Sequence, residues 1–364
     1  MTWRISRRRL GRWAVTAGVA GVAAACSGGR PSSVPAAGGG AAKAAPVGFV
    51  LSHEQFPTQE LVSYAEQAEQ AGFGYLWASD HVQPWQHDQG HSMFPWLTLA
   101  LAGQRTQRIP LGSGVTCPIY RHHPVEVAHA FASLELLAPG RVFLGVGTGE
   151  RLNEQAATTQ FGPYSERHDR LIEAIHLIRQ LWTGQRVSYR GRYFQTEQLE
   201  LYDLPEKPPP IYVAAGGPKS ARLAGQYGDG WITQASSATN PQLVGAFIDG
   251  ARAAGKDPDA MPKWAELFAV PGEQDEIDRA ARLWSFTAAG SIDQPNPEAI
   301  QQAAERTPPE QVAAGWVTGT DPAVHIGAVQ RMIDGGRTPF LHFPQDDPGA
   351  AIDFYRTQVL PRLR

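Results

Sequence analysis

From Val47 onward, short β-rich runs take turns with longer amphipathic stretches, and no other feature limits the possible folds of this chain as much. "VGFVLS" leads into a helical pattern over 58–71 and then into "YLWAS". The runs "IPLGSGVTC", "VFLGVGTG", "IYVAAGG", "GWITQA", "WAELFAV" and "PFLHFP" follow, with helical patterns over 124–137 and 166–182 among the stretches between them. Eight strands alternating with helices over a length of this order predict an α/β fold, a single (β/α)8 TIM-type barrel, in preference to an open doubly wound sheet. No composition break splits the stretch, so residues 47–364 read as one domain. "RVSYRGRYFQTE" reads as a hairpin around Arg190-Gly191, an insertion in a connection too long for a plain barrel.

Ahead of the alternation, "SRRRLGRW" places Arg7, Arg8 and Arg9 before an apolar stretch from Ala14 to Ala25, in the pattern of a twin-arginine export signal over residues 1–26. That stretch falls well short of the roughly 20 residues that span a bilayer. The run "AAAC" leaves two readings open: Cys26 as a lipidated first residue, or ordinary cleavage marked by Ala23 and Ala25. Residues 27–46 are Gly, Pro, Ser and Ala with nothing to bury, so they read as a tether. The expected location is the cell envelope, with or without a lipid anchor at the outer face of the plasma membrane.

Charge narrows the partner. The formal net charge of -3 is spread without blocks of either sign, which gives no nucleic-acid footprint and favours a small molecule. Cys26 and Cys117 are the only cysteines, too few for a disulfide framework and without metal-site spacing.

A barrel carries its chemistry where strands end and helices begin, and polar clusters fall at those places. They are Ser52-His53-Glu54, Asp80-His81, Thr116-Cys117 and Gly147-Thr148-Gly149-Glu150, with Gly216-Gly217 and Gln234 after later strands. His81 is either a base for a substrate hydroxyl, since imidazole titrates near neutrality, or a hydrogen-bonded loop histidine beside a capping Asp80. His81, His87 and His91 lack the helical spacing of a zinc motif, so no metal is expected. "GVGTGE" is not a dinucleotide fingerprint, because Glu150 stands where the third glycine belongs. It either admits a flat group close to the backbone, with Glu150 as an ionisable neighbour, or is a tight turn with a solvated glutamate. "AAGGPKSARLAG" puts bare amides at a helix start, which is an anion site or an ordinary turn. Trp85, Trp96, Phe94 and Met93 are core or pocket wall.

Taken in order, "SDHVQPW", "GVGTGERLNE", "AAGGP" and "YGDGW" resemble the bacterial-luciferase-like barrel flavoenzymes, in the branch that uses the deazaflavin coenzyme F420. The resemblance covers essentially all of 47–364. It implies an oxidoreductase in which hydride passes from a secondary hydroxyl to F420. Under that resemblance His81 is the base, Trp85 packs beside the reacting centre and Glu150 serves the ring nitrogen. Asp80, Val115, Cys117, Thr148, Gly149 and Asn153 become contacts to the ring and its side chain, Gly216, Gly217 and Ser220 the phosphate site, and Gly114-Val115 a cis peptide behind the ring.

Branch members that act on glucose 6-phosphate carry lysines for the phosphate, and here Ser237 and Phe268 stand in their places, with Arg282 as one retained cation. The expected substrate is therefore an alcohol without a phosphate, and the resemblance further implies a lipid alcohol, a hydroxymycolic acid oxidised to the keto form in mycolic acid biosynthesis. Other readings are an enzyme for another alcohol or ketone, a relative of the glucose-6-phosphate enzymes, and a binding protein that turns nothing over. Dimers are common in that family, so a homodimer is expected from the resemblance alone.

Overall fold

The computed structural model describes residues 46–289 and 293–364. The expected export signal, Cys26 and nearly all of the tether lie outside the described residues.

Nine parallel strands form the sheet: β1 (Gly48–Leu51), β2 (Tyr75–Ala78), β3 (Leu111–Ser113), β4 (Val142–Val146), β5 (Ile211–Ala214), β6 (Gly230–Gln234), β7 (Lys263–Val270), β8 (Val317–Thr318) and β9 (Thr338–His342). Eight of them close a barrel, since β1 to β7 pair in sequence order, with β9 inserted between β7 and β1. Those eight are the eight runs predicted from the sequence. The short β8 pairs only with the far end of β7, through Ala269 and Val270. Two residues leave no periodicity to read, so β8 has no sequence signal.

The third strand is shorter than its run. Pairing stops at Ser113, the Gly114–Val115 peptide that follows is cis, and Thr116 makes a single bridge to Val146.

The helices form for local reasons. Helix Thr58–Ala71 buries Leu61, Ala65 and Ala68 at i, i+4 and i+7, and Gly72 ends it in the left-handed region at φ 92°. Helix Pro124–Leu137 has the predicted bounds, and the predicted 166–182 helix runs Tyr164–Leu181. The insertion folds back on itself through antiparallel bridges Val187 to Leu199 and Arg190 to Gln195, as expected for a hairpin.

Two apolar layers hold the barrel. One lies between strands and helices. The other fills the barrel floor with Val50, Trp77, Phe143, Ile232, Trp264 and Phe340. Trp77 and Phe340 stack at 3.8 Å, and a Cβ on Gly48 would come within 2.3 Å of the Phe340 ring, so the floor packs only around a glycine there. Since aromatic residues plug the lower half of the barrel, the space for chemistry is at the opposite, C-terminal mouth.

Candidate active site

A cavity of about 1280 Å³ opens at that mouth. Its three walls differ in chemistry.

The first wall is backbone. Val115, Gly147, Thr148, Gly149 and Glu150 line it beside Gly114, from the ends of β3 and β4. A Cβ on Gly147 would sit 2.9 Å from Val115, and one on Gly114 would press into the Trp77 indole at 2.5 Å. Side chains are excluded there, which leaves a flat surface. Gly149 turns the chain at φ 71°, and a π-helical turn, Arg151–Gln155, follows Glu150.

At one end of this wall, Gly216 and Gly217 precede helix Pro218–Tyr227, with Pro218 at the first helical position. No atom lies within 4 Å of the place where a Gly216 Cβ would stand, so the backbone at Gly216 borders open space in the cavity. Ser220 Oγ accepts from the Gly217 amide at 3.2 Å and tightens the turn.

The second wall is built for proton transfer. Asn153 Oδ1 accepts from the Val82 amide at 2.9 Å, which orients its Nδ2 toward His81 Nδ1, where it donates at 3.0 Å. His81 Nε2 is then turned to Glu54, 3.5 Å from Oε1. The other Glu54 oxygen accepts from Ser52 Oγ at 2.9 Å and Ser79 Oγ at 2.7 Å. Burial pushes the Glu54 carboxyl up, but His81, the Ser79 hydroxyl and His342 together bring it below its ordinary value. It is a buried carboxylate that stays ionised. Trp85 lies 4.9 Å from the His81 ring and stacks on Phe286 at 4.8 Å.

Behind His81 runs a buried charge network. Asp80 accepts from Arg121 Nη2 at 2.8 Å and from Thr116 Oγ1 at 2.5 Å, and Glu154 Oε2 accepts from the Arg121 amide at 2.8 Å. Burial raises the Asp80 carboxyl, yet His122, Arg121 and Thr116 outweigh it and hold Asp80 far below the usual range. Glu154 goes the other way: burial, helped by Glu150 and Asp80, pushes it up to about 7 against the Arg121 interactions.

The third wall is aromatic. Phe268 stacks on Trp316 at 5.2 Å, and Trp284 packs edge-on against Phe268 at 5.2 Å. Of the residues expected in the site, His81, Trp85, Val115, Thr148, Gly149, Glu150, Gly216, Gly217 and Ser220 line the cavity.

Three others stand one layer back. Asp80 is spent on Arg121 and Thr116, Asn153 holds His81, and Cys117 lies behind Gly147, with its thiol raised by burial. Ser237 and Phe268 line the cavity, whereas Arg282 is exposed outside its lining. Lys219 is the only Lys or Arg lining it among the described residues. Glu54 was visible in the sequence only as part of a polar cluster. Of the aromatic wall, the sequence singled out only Phe268, as the residue in place of a lysine; Trp284, Phe286 and Trp316 come from stretches with no motif.

A family model described as luciferase-like monooxygenase matches residues 12–338. The chain is 62% identical to an F420-dependent hydroxymycolic acid dehydrogenase of Mycobacterium tuberculosis over 99% of each chain. It is 39% identical to an F420-dependent glucose-6-phosphate dehydrogenase of Nakamurella multipartita, over 87% of this chain and 96% of that one. Among solved structures, an F420-dependent secondary alcohol dehydrogenase in complex with an F420-acetone adduct superposes with a TM-score of 0.83 at 32% identity, over 88% of this chain and 99% of that one. With the closed parallel barrel, the flat wall at its mouth and a family match over most of the sequence, this chain belongs to the luciferase-like monooxygenase family.

Proposed function

We propose that this protein is an F420-dependent alcohol dehydrogenase that oxidises a secondary hydroxyl, with hydroxymycolic acid as the favoured substrate. The observation that carries this reading is the His81–Glu54 pair, which opens onto the same cavity as a flat wall built largely of backbone. The relative named for hydroxymycolic acid and the structure named as a secondary alcohol dehydrogenase support it.

The residues fit a deazaflavin. Val115 and Gly147 offer a plane for a ring system, and the open turn at Gly216-Gly217, at the positive end of a helix, suits a phosphate. When bound, the deazaflavin supplies a hydride acceptor that does not run oxygen chemistry.

The protein provides position and proton handling. The 3.5 Å gap between His81 Nε2 and Glu54 Oε1 is longer than a hydrogen bond, so a hydroxyl placed there meets both atoms. With Nδ1 accepting from Asn153, the neutral imidazole carries its proton on Nε2, so the ionised Glu54 takes up the carbinol proton while His81 Nε2–H donates to the carbinol oxygen, and the pair acts rather than His81 alone. Trp85 limits where the carbinol carbon can sit. Glu150, on the flat wall and 3.5 Å from Asn153 Nδ2, is the ionisable group there that would serve a ring nitrogen of the deazaflavin as proton partner.

The choice of a non-phosphorylated substrate rests on the lining: Ser237 and Phe268 are uncharged, and the one cation, Lys219, is at the phosphate end. We further propose export by the twin-arginine route, with or without a lipid on Cys26, and a homodimer as the working form. The "SRRRLGRW" segment supports the export part, which cytoplasmic retention after replacement of Arg7, Arg8 and Arg9 by lysine would test.

The decisive experiment is a fluorescence titration with F420 and FMN in parallel, then addition of hydroxymycolate and, separately, glucose 6-phosphate while the F420 absorbance is followed. Selective F420 binding and bleaching by the lipid alcohol alone is the expected result. Preference for FMN removes the dehydrogenase reading, and bleaching by the sugar phosphate removes the lipid substrate.

A further inference from the structure

The aromatic wall contains one ionisable pair that the mechanism does not use. Glu266 on β7 and His342 at the end of β9 meet across neighbouring strands, with His342 Nδ1 2.8 Å from Glu266 Oε1. An N–H that close to a carboxylate donates to it, so one Glu266 oxygen is committed. No hydrogen bond reaches Oε2 among the described residues, and the Glu266 side chain is 25% exposed, at the cavity surface.

His342 is clamped. Its ring stacks on Phe268 at 4.3 Å, meets the edge of Trp284 at 4.5 Å and is almost wholly buried. Glu266 and Phe268 are two residues apart on one strand and so face the same side, which places a fixed carboxylate oxygen beside the stacked rings. A carboxylate in such surroundings is costly unless something pairs with it, and an apolar residue would bridge β7 and β9 at less cost.

We infer that Glu266, held by His342, is a specificity residue that accepts a hydrogen bond from a second, neutral O–H or N–H group of the substrate, apart from the carbinol oxidised at His81. His342 is the positioning residue. The carboxylate also turns away anionic groups at this end of the cavity, in keeping with a lining that carries no cation there. This inference rests on the alcohol dehydrogenase reading.

The test compares a long-chain secondary mono-alcohol with a series of diols of the same chain length, the second hydroxyl moved stepwise along the chain. All are assayed by F420 reduction with the full enzyme. Glu266→Gln turns the free acceptor into a donor, because the amide oxygen keeps the His342 bond and leaves the NH2 outward. The expected result is a KM about tenfold higher for the preferred diol, with kcat and the mono-alcohol KM unchanged.

His342→Phe, which keeps the stack but loses the donor, is expected to raise the KM for the preferred diol relative to the mono-alcohol in the same proportion; the kcat comparison is drawn on Glu266→Gln alone, because His342 also lowers the Glu54 carboxyl. His342→Asn keeps a donor near the Nδ1 position and is expected to restore the preference. Equal losses for mono-alcohol and diol, a fall in kcat with both, or no change at all would overturn the inference, the first two marking a structural or proton-carrying pair. If the wild type binds F420 but oxidises none of these alcohols, the dehydrogenase reading falls and takes this inference with it. Wild-type turnover with an indifferent Glu266→Gln removes the inference alone.

Discussion

The proton-handling and aromatic sides of the cavity, joined where Trp85 stacks on Phe286, are built on opposite principles. Behind His81, four charged or titratable side chains, Asp80, Arg121, His122 and Glu154, are packed into the protein with little solvent. On the aromatic side, Phe268, Trp284, Phe286 and Trp316 stack with almost no charge among them. The charged side fixes atoms in position, because buried ions tolerate only one geometry. The aromatic side fixes shape and dryness while leaving freedom in what it holds. Chemistry is kept rigid on one face and substrate choice adjustable on the other.

The largest effect is expected where the charged side is broken. Arg121→Met strands Asp80 and Glu154 in the interior, at a cost of about 3–5 kcal/mol in thermal or denaturant unfolding. A loss below about 1 kcal/mol would mean that water relieves the network, and the contrast between the two sides would lose its basis.

Next comes the reacting pair. His81→Ala should lower kcat roughly 100-fold or more while leaving F420 affinity nearly intact, and Glu54→Gln should lower kcat in the same direction. Equal loss of binding and turnover would show His81 to be part of the cofactor cradle instead.

On the aromatic side, Trp316→Ala removes the stack on Phe268 without touching the proton pair. KM for a long-chain alcohol should rise about tenfold, with kcat and the short-chain KM little changed. A kcat effect here would blur the division of labour.

The smallest effect is a slope. With its carboxyl pushed from 4.5 up to about 7, folded Glu154 keeps a proton that the unfolded chain has already released. Its contribution therefore lowers stability as pH rises from 4.5 to 7, by about 1 kcal/mol per pH unit at most. Glu154→Gln should remove that slope from unfolding curves measured across this window, and an unchanged slope would place the titration elsewhere.

The alternation after Val47 determined the barrel, because a strand that must pair in parallel needs a covering helix, and both periodicities are local properties of the chain. The ends of those strands also pointed to His81, Trp85, Glu150 and the Gly216-Gly217 turn, since glycines and lone ionisable groups stand out against apolar runs. Whether Asp80, Asn153 and Cys117 face the cavity or support it was not legible, because one residue of twist at a strand end moves a side chain from the lining to the layer behind. Glu54 could be seen but not assigned: its partner His81 follows the next strand, and the parallel pairing of β1 with β2 brings them to 3.5 Å.

The aromatic wall and the Glu266–His342 pair belong wholly to the tertiary structure. Their residues are spread from Glu266 to His342, in segments whose spacing matches no motif, and they converge because β9 inserts between β7 and β1. The sequence by itself set which elements form and which strand ends carry reactive groups, since both depend on neighbours along the chain. Which groups meet, and whether each meets cavity or core, was decided by closure of the sheet, a long-range event that no local pattern records.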